Sequence, residues 1–169
     1  MTKGVKMSHC VQLIFIEAEN HQDAIDEVSS RLEEADWSDW SEVGGRFSGL
    51  FGESEPDALL YSNDPEKWDE VVKTFSEYRA AHMKEALSYL KGKENISDLI
   101  DDYKPTVTNY PLGMDGYYLR RIGSILADYW THDSAMYDLE AHTSNLAYLL
   151  ERIEKDPKKQ FMVAVDFHY

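Results

Sequence analysis

The sequence predicts an α+β fold, specifically a ferredoxin-like two-layer sandwich made of two β-α-β halves with a helical insertion between them. Two observations predict it. Strand-like patterning is followed by helical spacing near both ends of the chain, whereas residues 64–128 show helical spacing alone. A chain of 169 residues is long enough for one core and short for two. We therefore expect a single domain over residues 1–169.

The first half begins with His9–Glu17, which is β-branched and apolar on both sides, as is typical of a central strand. A helix is predicted next, because apolar residues recur at helical spacing from Ala24 to Leu32 and Asn20 can cap the first turn. Residues 37–52 then place Trp, Val, Phe and Leu around paired glycines. This pattern indicates a strand with a bulge or a close backbone approach.

The insertion, residues 64–128, opens with Asp64 and Pro65, which suit the cap and first turn of a long helix that Gly92 ends. Two shorter helices are predicted after it. We expect these helices to cover the sheet face that the two sandwich helices leave bare. The apolar surplus on the long helix also allows a homodimer.

The second half repeats the order of the first. Ser134–Glu140 is predicted as a short strand and His142–Glu154 as an amphipathic helix. Pro157 then interrupts the chain, and Phe161–Tyr169 alternates between apolar and other residues as a final strand. We expect the first and last strands to be neighbours.

Charge limits the classes of partner. Seventeen basic and thirty-two acidic side chains give a formal charge of −15, so free nucleic acid and acidic membrane surfaces are not expected ligands. Between Met7 and Gly45 the chain has one base, Arg31, and ten acids. These acids are Glu17, Glu19, Asp23, Asp26, Glu27, Glu33, Glu34, Asp36, Asp39 and Glu42. The block predicts either a basic partner or only high solubility.

The single cysteine, Cys10, excludes an internal disulfide, and the scattered histidines lack the spacing of a zinc site. The longest apolar stretch near the N-terminus, Leu13–Ile16, is too short for a signal peptide or a membrane span. A reducing, cytoplasmic location is expected. No nucleotide, hydrolase or metalloprotease motif occurs, so we predict no catalytic residue, no metal and no cofactor.

The first candidate site is the segment Gly44-Gly45-Arg46-Phe47-Ser48. Paired glycines permit close approach of a ligand, successive backbone N–H groups can form an anion nest, and Arg46 can add a bidentate contact to phosphate or carboxylate. Ser48 completes the predicted set. The alternative is a plain bulge whose arginine pairs with Glu42 or another carboxylate.

A second candidate lies on the last strand, where Asp166 and His168 share the face opposite its apolar side. Gln12, Arg46 and Asp138 can reach the same sheet face, and five polar groups there would form a site. The alternative is that Asp166 and His168 lie at a fraying, solvated end of the chain.

A third candidate combines cations with aromatic rings: Arg120 and Arg121 follow Tyr117 and Tyr118. Stacking together with a phosphate contact suits a nucleotide-like ligand. The alternative is a solvated helix face with surface ion pairs.

The strands GGRFSG and VAVDFHY resemble a group of small phage and bacterial proteins that share a GGR-aromatic-Ser/Thr-Gly strand and end in V-D-x-H. The matching positions are Gly44, Gly45, Arg46, Asp166 and His168, and Phe47 stands where the group usually has tryptophan. The resemblance implies a phage or mobile-element setting and carries no activity with it.

These observations favour a small-ligand binding protein, in a phage setting one that sequesters an anionic nucleotide-derived signal. The acid block favours an alternative, an inhibitor that occupies the nucleic-acid-binding surface of a basic host protein. A third hypothesis is a hydrolase with Asp138, Asp166 and His168 around a metal.

Overall fold

The structure is a computed structural model that describes residues 9–33, 40–53, 57–91, 122, 135–140, 142 and 146–168. These residues form a mixed five-stranded sheet and three helices, so the α+β class is confirmed. In the described part of the chain, no helix has the length and apolar character needed to cross a membrane.

The elements follow the predicted order closely. The strands are β1 (His9–Glu17), β2 (Trp40–Val43), β3 (Ala58–Leu60), β4 (Ala135–Asp138) and β5 (Gln160–His168). The helices are α1 (His21–Glu33), α2 (Pro65–Lys91) and α3 (Leu146–Lys155). The long insertion helix therefore starts at the predicted proline. The shorter predicted helices lie outside the described residues, apart from Ile122, which is helical.

The predicted strand over residues 37–52 is wrong beyond Val43. Gly44 and Gly45 have φ angles of 71° and 51°, and a 3₁₀ turn spans Gly45–Phe47. Left-handed backbone cannot continue a strand ladder, so the chain turns out of the sheet at this point. The third strand, Ala58–Leu60, is absent from the sequence prediction because three residues are too few to display alternation.

The sheet is organised around β5. The strand order is β2-β5-β1-β4, with β3 also paired to β5. β5 runs antiparallel to both β1 and β2, so β1 and β2 are parallel with β5 between them, a split β-α-β unit. A ferredoxin-like sheet has antiparallel neighbours throughout, whereas β4 is parallel to β1. The ferredoxin-like arrangement is therefore not confirmed, although β1 and β5 are neighbours as predicted.

β2 and β3 are two pieces of one edge strand. β2 ends opposite Val165 and β3 begins opposite Val163, which leaves Ala164 between them. The Ala164 carbonyl accepts the Gly44 N–H at 2.8 Å, and the Ala164 N–H donates to the Asp57 carbonyl at 2.9 Å. The chain thus leaves the sheet and returns to it at one ladder position.

Apolar side chains cover both faces of the sheet. One face packs against α1, which contributes Ala24, Val28 and Leu32. The other packs against α2 and α3, which contribute Trp68, Val71, Phe75, Leu149 and Ile153. α2 covers an open face as expected, but α3 shares that face instead of lying beside α1. The apolar stripe of a helix determines which side is buried, but not the sheet face against which it packs.

An ion pair fastens α3 to β4. Arg152 Nη2 donates to Asp138 Oδ2 at 2.8 Å, and the two side chains are 17% and 1% exposed. The other carboxylate oxygen accepts the Glu140 N–H at 3.0 Å. Burial, and to a smaller extent the Asp138 charge, raises the pKa of the neighbouring Tyr137. The Asp138 carboxylate is therefore bound within the fold, by Arg152 and by the Glu140 N–H.

Replacing Arg152 with methionine should lower the free energy of unfolding by about 3–5 kcal/mol, because the buried Asp138 carboxylate would lose its 2.8 Å ion pair. Urea denaturation measures the change. The matched control is Lys73→Met, since Lys73 is 76% exposed and lies 3.9 Å from Glu77, where a loss of about 0–1 kcal/mol is expected. Equal losses in the two variants would contradict the assignment.

Candidate functional site

Polar and aromatic side chains meet at the C-terminal end of β5. Asp166 lies opposite Glu42 of β2, and His168 lies between Trp40 of β2 and His9 of β1. Directly paired residues share a sheet face, so these five side chains belong to the face covered by α2 and α3. The rings of His9 and His168 are 4.9 Å apart, and those of His9 and Trp40 are 6.1 Å apart.

Asp166 is the centre of this cluster. Its side chain is 0% exposed, with Oδ1 2.9 Å from His9 Nδ1. The Arg46 backbone N–H donates to Oδ2 at 3.2 Å. Because a buried carboxylate needs such partners, Asp166 connects β1, β5 and the turn after β2. The alternative that Asp166 is solvated at a fraying end is wrong, and His168 is half-buried.

The glycine pair is explained by contacts within the protein. A Cβ on Gly45 would lie 2.6 Å from the Asp166 Cβ, and a Cβ on Gly44 would lie 2.3 Å from Asp57 Oδ1. Real side chains do not tolerate such distances. The close approach predicted at these glycines therefore exists, and two carboxylate side chains of the protein make it.

Among the successive backbone N–H groups of the predicted anion nest, that of Arg46 is the one shown to bind a carboxylate. The Arg46 N–H holds Asp166, the Phe47 N–H donates to the Gly44 carbonyl at 2.9 Å, and the Ser48 N–H donates to the Gly45 carbonyl at 3.3 Å. An external anion would thus meet the Arg46 side chain and not these amides. Among the described residues that side chain is exposed and forms no ion pair, contrary to the bulge alternative in which it pairs with Glu42.

A pocket of about 550 Å³ opens beside this cluster, within the size range of small-molecule sites. Its polar lining comes from His9, Glu42, Arg46, Ser48, Asp57 and Asp166, and Trp40 forms an aromatic wall. The Trp40 side chain is 44% exposed. Asp57 Oδ1 is buried with no hydrogen-bond partner among the described residues. The lining of the pocket therefore combines three carboxylates, one guanidinium and one aromatic ring.

Two residues predicted to converge with Asp166 lie elsewhere. Gln12 is opposite Val165, on the α1 face of the sheet. Asp138 is opposite Phe15, four positions along β1 from the residue that faces Asp166, and its carboxylate binds Arg152. The prediction that five polar residues converge on one site is therefore wrong for Gln12 and Asp138. The alternation of side chains along a strand does not determine the register between strands.

The third candidate, Tyr117, Tyr118, Arg120 and Arg121, lies outside the described residues. Within the ranges described, no group of three or more His, Cys, Asp or Glu residues is arranged to hold a metal ion. Asp138 is also remote from Asp166 and His168 in the strand register. The geometry thus gives no support to the hydrolase hypothesis.

Five residues that line the pocket were not among the predicted site residues: His9, Trp40, Glu42, Val43 and Asp57. His9 was assigned only to the start of a strand, and its pairing with Asp166 spans almost the entire chain. Asp57 directly precedes the short strand that was not predicted. The one local signal was the glycine pair itself, which indicates that something bulky lies nearby without saying what.

Comparisons with protein-family models, curated proteins and solved structures give no match for this chain. The pocket is therefore the feature of this chain that bears on its function. The resemblance to phage and bacterial proteins stays a prediction from the sequence.

Gly45→Ala should destabilise the fold more than Gly49→Ala. Both positions have positive φ, so each alanine introduces backbone strain of about 1–3 kcal/mol. A Cβ at Gly49 meets nothing within 4 Å, whereas one at Gly45 displaces Asp166 from its two partners, at a further cost of about 1–3 kcal/mol. Urea denaturation compares the variants, and equal losses would show that Asp166 does not impose the glycine.

Proposed function

We propose that the chain is a small-ligand binding protein and that its site is the pocket beside Asp166. The observation that carries the proposal is the Arg46 side chain, which lines the pocket without an ion pair among the described residues. Trp40 provides a half-exposed ring beside it. An unpaired guanidinium next to an aromatic wall suits a ligand that has both an anionic group and a planar ring.

A nucleotide-derived molecule has both features. Its base can stack on Trp40, and its phosphate can take the two parallel N–H groups of Arg46. Gly45 and Ser48 contribute backbone and hydroxyl surface to the same pocket. His9 is held through its Nδ1 by Asp166, so its Nε2 remains for a ligand.

The setting of this proposal comes from the sequence resemblance and not from the pocket. A phage-encoded counter-defence protein would bind a nucleotide-derived signal and remove it from the host cytoplasm. Such a protein needs a binding site and no catalytic residue. The split β-α-β unit is the feature that this chain shares with ferredoxin-like proteins. The proposed function does not depend on it.

Arg46→Ala should weaken binding of nucleoside 5′-monophosphates by about 10- to 150-fold, the scale of about 1.5–3 kcal/mol for a hydrogen bond to a charged group. Titration calorimetry with AMP, GMP, CMP and UMP measures the affinities. Arg31→Ala is the control, because Arg31 lies on α1 and pairs with Glu27 at 2.7 Å, away from the pocket. Wild-type affinity in Arg46→Ala, or no binding of any monophosphate by the unmodified chain, would overturn the proposal.

One observation favours the second candidate function, an acidic inhibitor of a basic host protein. α1 buries Ala24, Val28 and Leu32 against the sheet and exposes Asp23, Asp26, Glu27 and Glu33. Its one base, Arg31, is paired with Glu27. On the outer face of the helix, Asp23, Asp26 and Glu33 thus remain without a basic partner among the described residues, and a basic surface can recognise this acidic stripe.

If this candidate is correct, the chain should release host nucleic-acid-binding proteins from immobilised DNA, and salt should weaken the effect because exposed charges are screened over about 8 Å at physiological ionic strength. Changing Asp23, Asp26 and Glu33 to lysine should abolish release. The control changes Glu66, Asp69 and Glu77, which are exposed on α2, to lysine. If both triple variants behave alike, total charge and not the α1 face is responsible.

A further inference from the structure

The hydrogen-bonding groups left over in the pocket are mainly acceptors. Both oxygens of Asp166 already have partners, in His9 and the Arg46 amide. The other two carboxylates are different: Glu42 is exposed on β2, and Asp57 keeps a buried Oδ1 with no hydrogen-bond partner among the described residues. That Oδ1 lies against Gly44 inside the protein, so a ligand in the pocket reaches Asp57 only through the rest of its side chain, whereas the exposed Glu42 carboxylate can accept donors at both oxygens.

Nucleobases differ in the donors that they can bring. Guanine has a ring N–H beside an exocyclic amine, and these adjacent donors match the two oxygens of a carboxylate. Hypoxanthine is the same purine without that amine, and uracil has a single ring N–H between two carbonyl groups. A carboxylate accepts two hydrogen bonds from guanine and one from either of the others.

Charge limits how many phosphate groups the ligand can have. The pocket contains one guanidinium, Arg46, and three carboxylates, in a chain of formal charge −15. One phosphate can be paired with Arg46, but each further phosphate adds negative charge to a negative site. The electrostatics therefore oppose di- and triphosphates.

We propose, on the basis of the proposed function above, that the pocket selects a nucleobase with an exocyclic amine, guanine being the best match, attached to a single phosphate. Glu42 and Asp57 read the donor edge of the base, Trp40 stacks on its plane, and Arg46 binds the phosphate. The selection comes from carboxylates that the chain presents on β2 and immediately before β3.

Titration calorimetry of the full chain with GMP, IMP and GTP tests the proposal. GMP should bind at least about tenfold more tightly than IMP, since one hydrogen bond to a charged group is lost. GTP should bind more weakly than GMP. In Glu42→Gln the preference for GMP over IMP should fall to about twofold or less, because an amide cannot accept both donors, and Asp57→Asn should reduce the preference to a smaller extent.

Two variants keep the test independent of folding. Asp57 packs against Gly44, so Asp57→Asn can disturb the turn, whereas Glu42 is exposed and Glu42→Gln keeps its shape. Glu53→Gln is the matched control, because Glu53 is exposed in the segment between β2 and β3 and does not line the pocket. It should keep the full preference for GMP. Urea denaturation of each variant verifies the fold.

Each of the other possible results contradicts one part of the proposal. Equal affinity for GMP and IMP overturns the base selection and leaves the binding pocket in place. A preference that persists in both Glu42→Gln and Asp57→Asn overturns the role of these carboxylates. GTP binding more tightly than GMP overturns the single-phosphate limit. Absence of binding by all the monophosphates overturns the proposed function itself.

Discussion

The buried carboxylate of Asp166 is the interaction on which the rest of the site depends. At 0% exposure it requires compensation, and His9 and the Arg46 amide provide it from two different segments of the chain. The need to compensate this carboxylate also constrains the neighbouring backbone. The turn must approach so closely that position 45 can only be glycine, and the chain then leaves the sheet and forms one wall of the pocket. Stability and site geometry thus have the same origin.

The edge strand shows how a sheet can accommodate a segment that leaves it, between β2 and β3, without losing its hydrogen-bond ladder. The departing Gly44 and the returning Asp57 use the two backbone groups of one residue, Ala164, so the hydrogen bonds of β5 continue through the interruption. In this segment Phe47, Leu50 and Phe51 pack onto the core that α2 and α3 cover. A loop anchored in this way is held by a rigid scaffold, which is where binding residues are commonly found.

The two candidate functions use different sides of the molecule. The acidic stripe belongs to α1, which packs on one face of the sheet, whereas the pocket lies at the end of the other face, with the cluster around Asp166. Substitutions in one are therefore separated from the other by the sheet, and energetic effects at separated sites are expected to be additive. The pocket itself is rich in acceptors, so net charge acts on both candidates, attracting basic partners and limiting the phosphates that a ligand can have.

The sequence by itself determined the α+β class, the central apolar strands, the start of the long helix at Pro65 and the unusual demand at Gly44 and Gly45, because these depend on local periodicity and backbone freedom. It also singled out Asp166 and Arg46. Only the tertiary structure decided that β5 lies between β1 and β2, that α3 shares a face with α2, and that His9, Trp40, Glu42 and Asp57 line the candidate pocket. Strand register and pairing are set by contacts between distant segments, and one step of register moves a side chain such as Gln12 to the opposite face of the sheet.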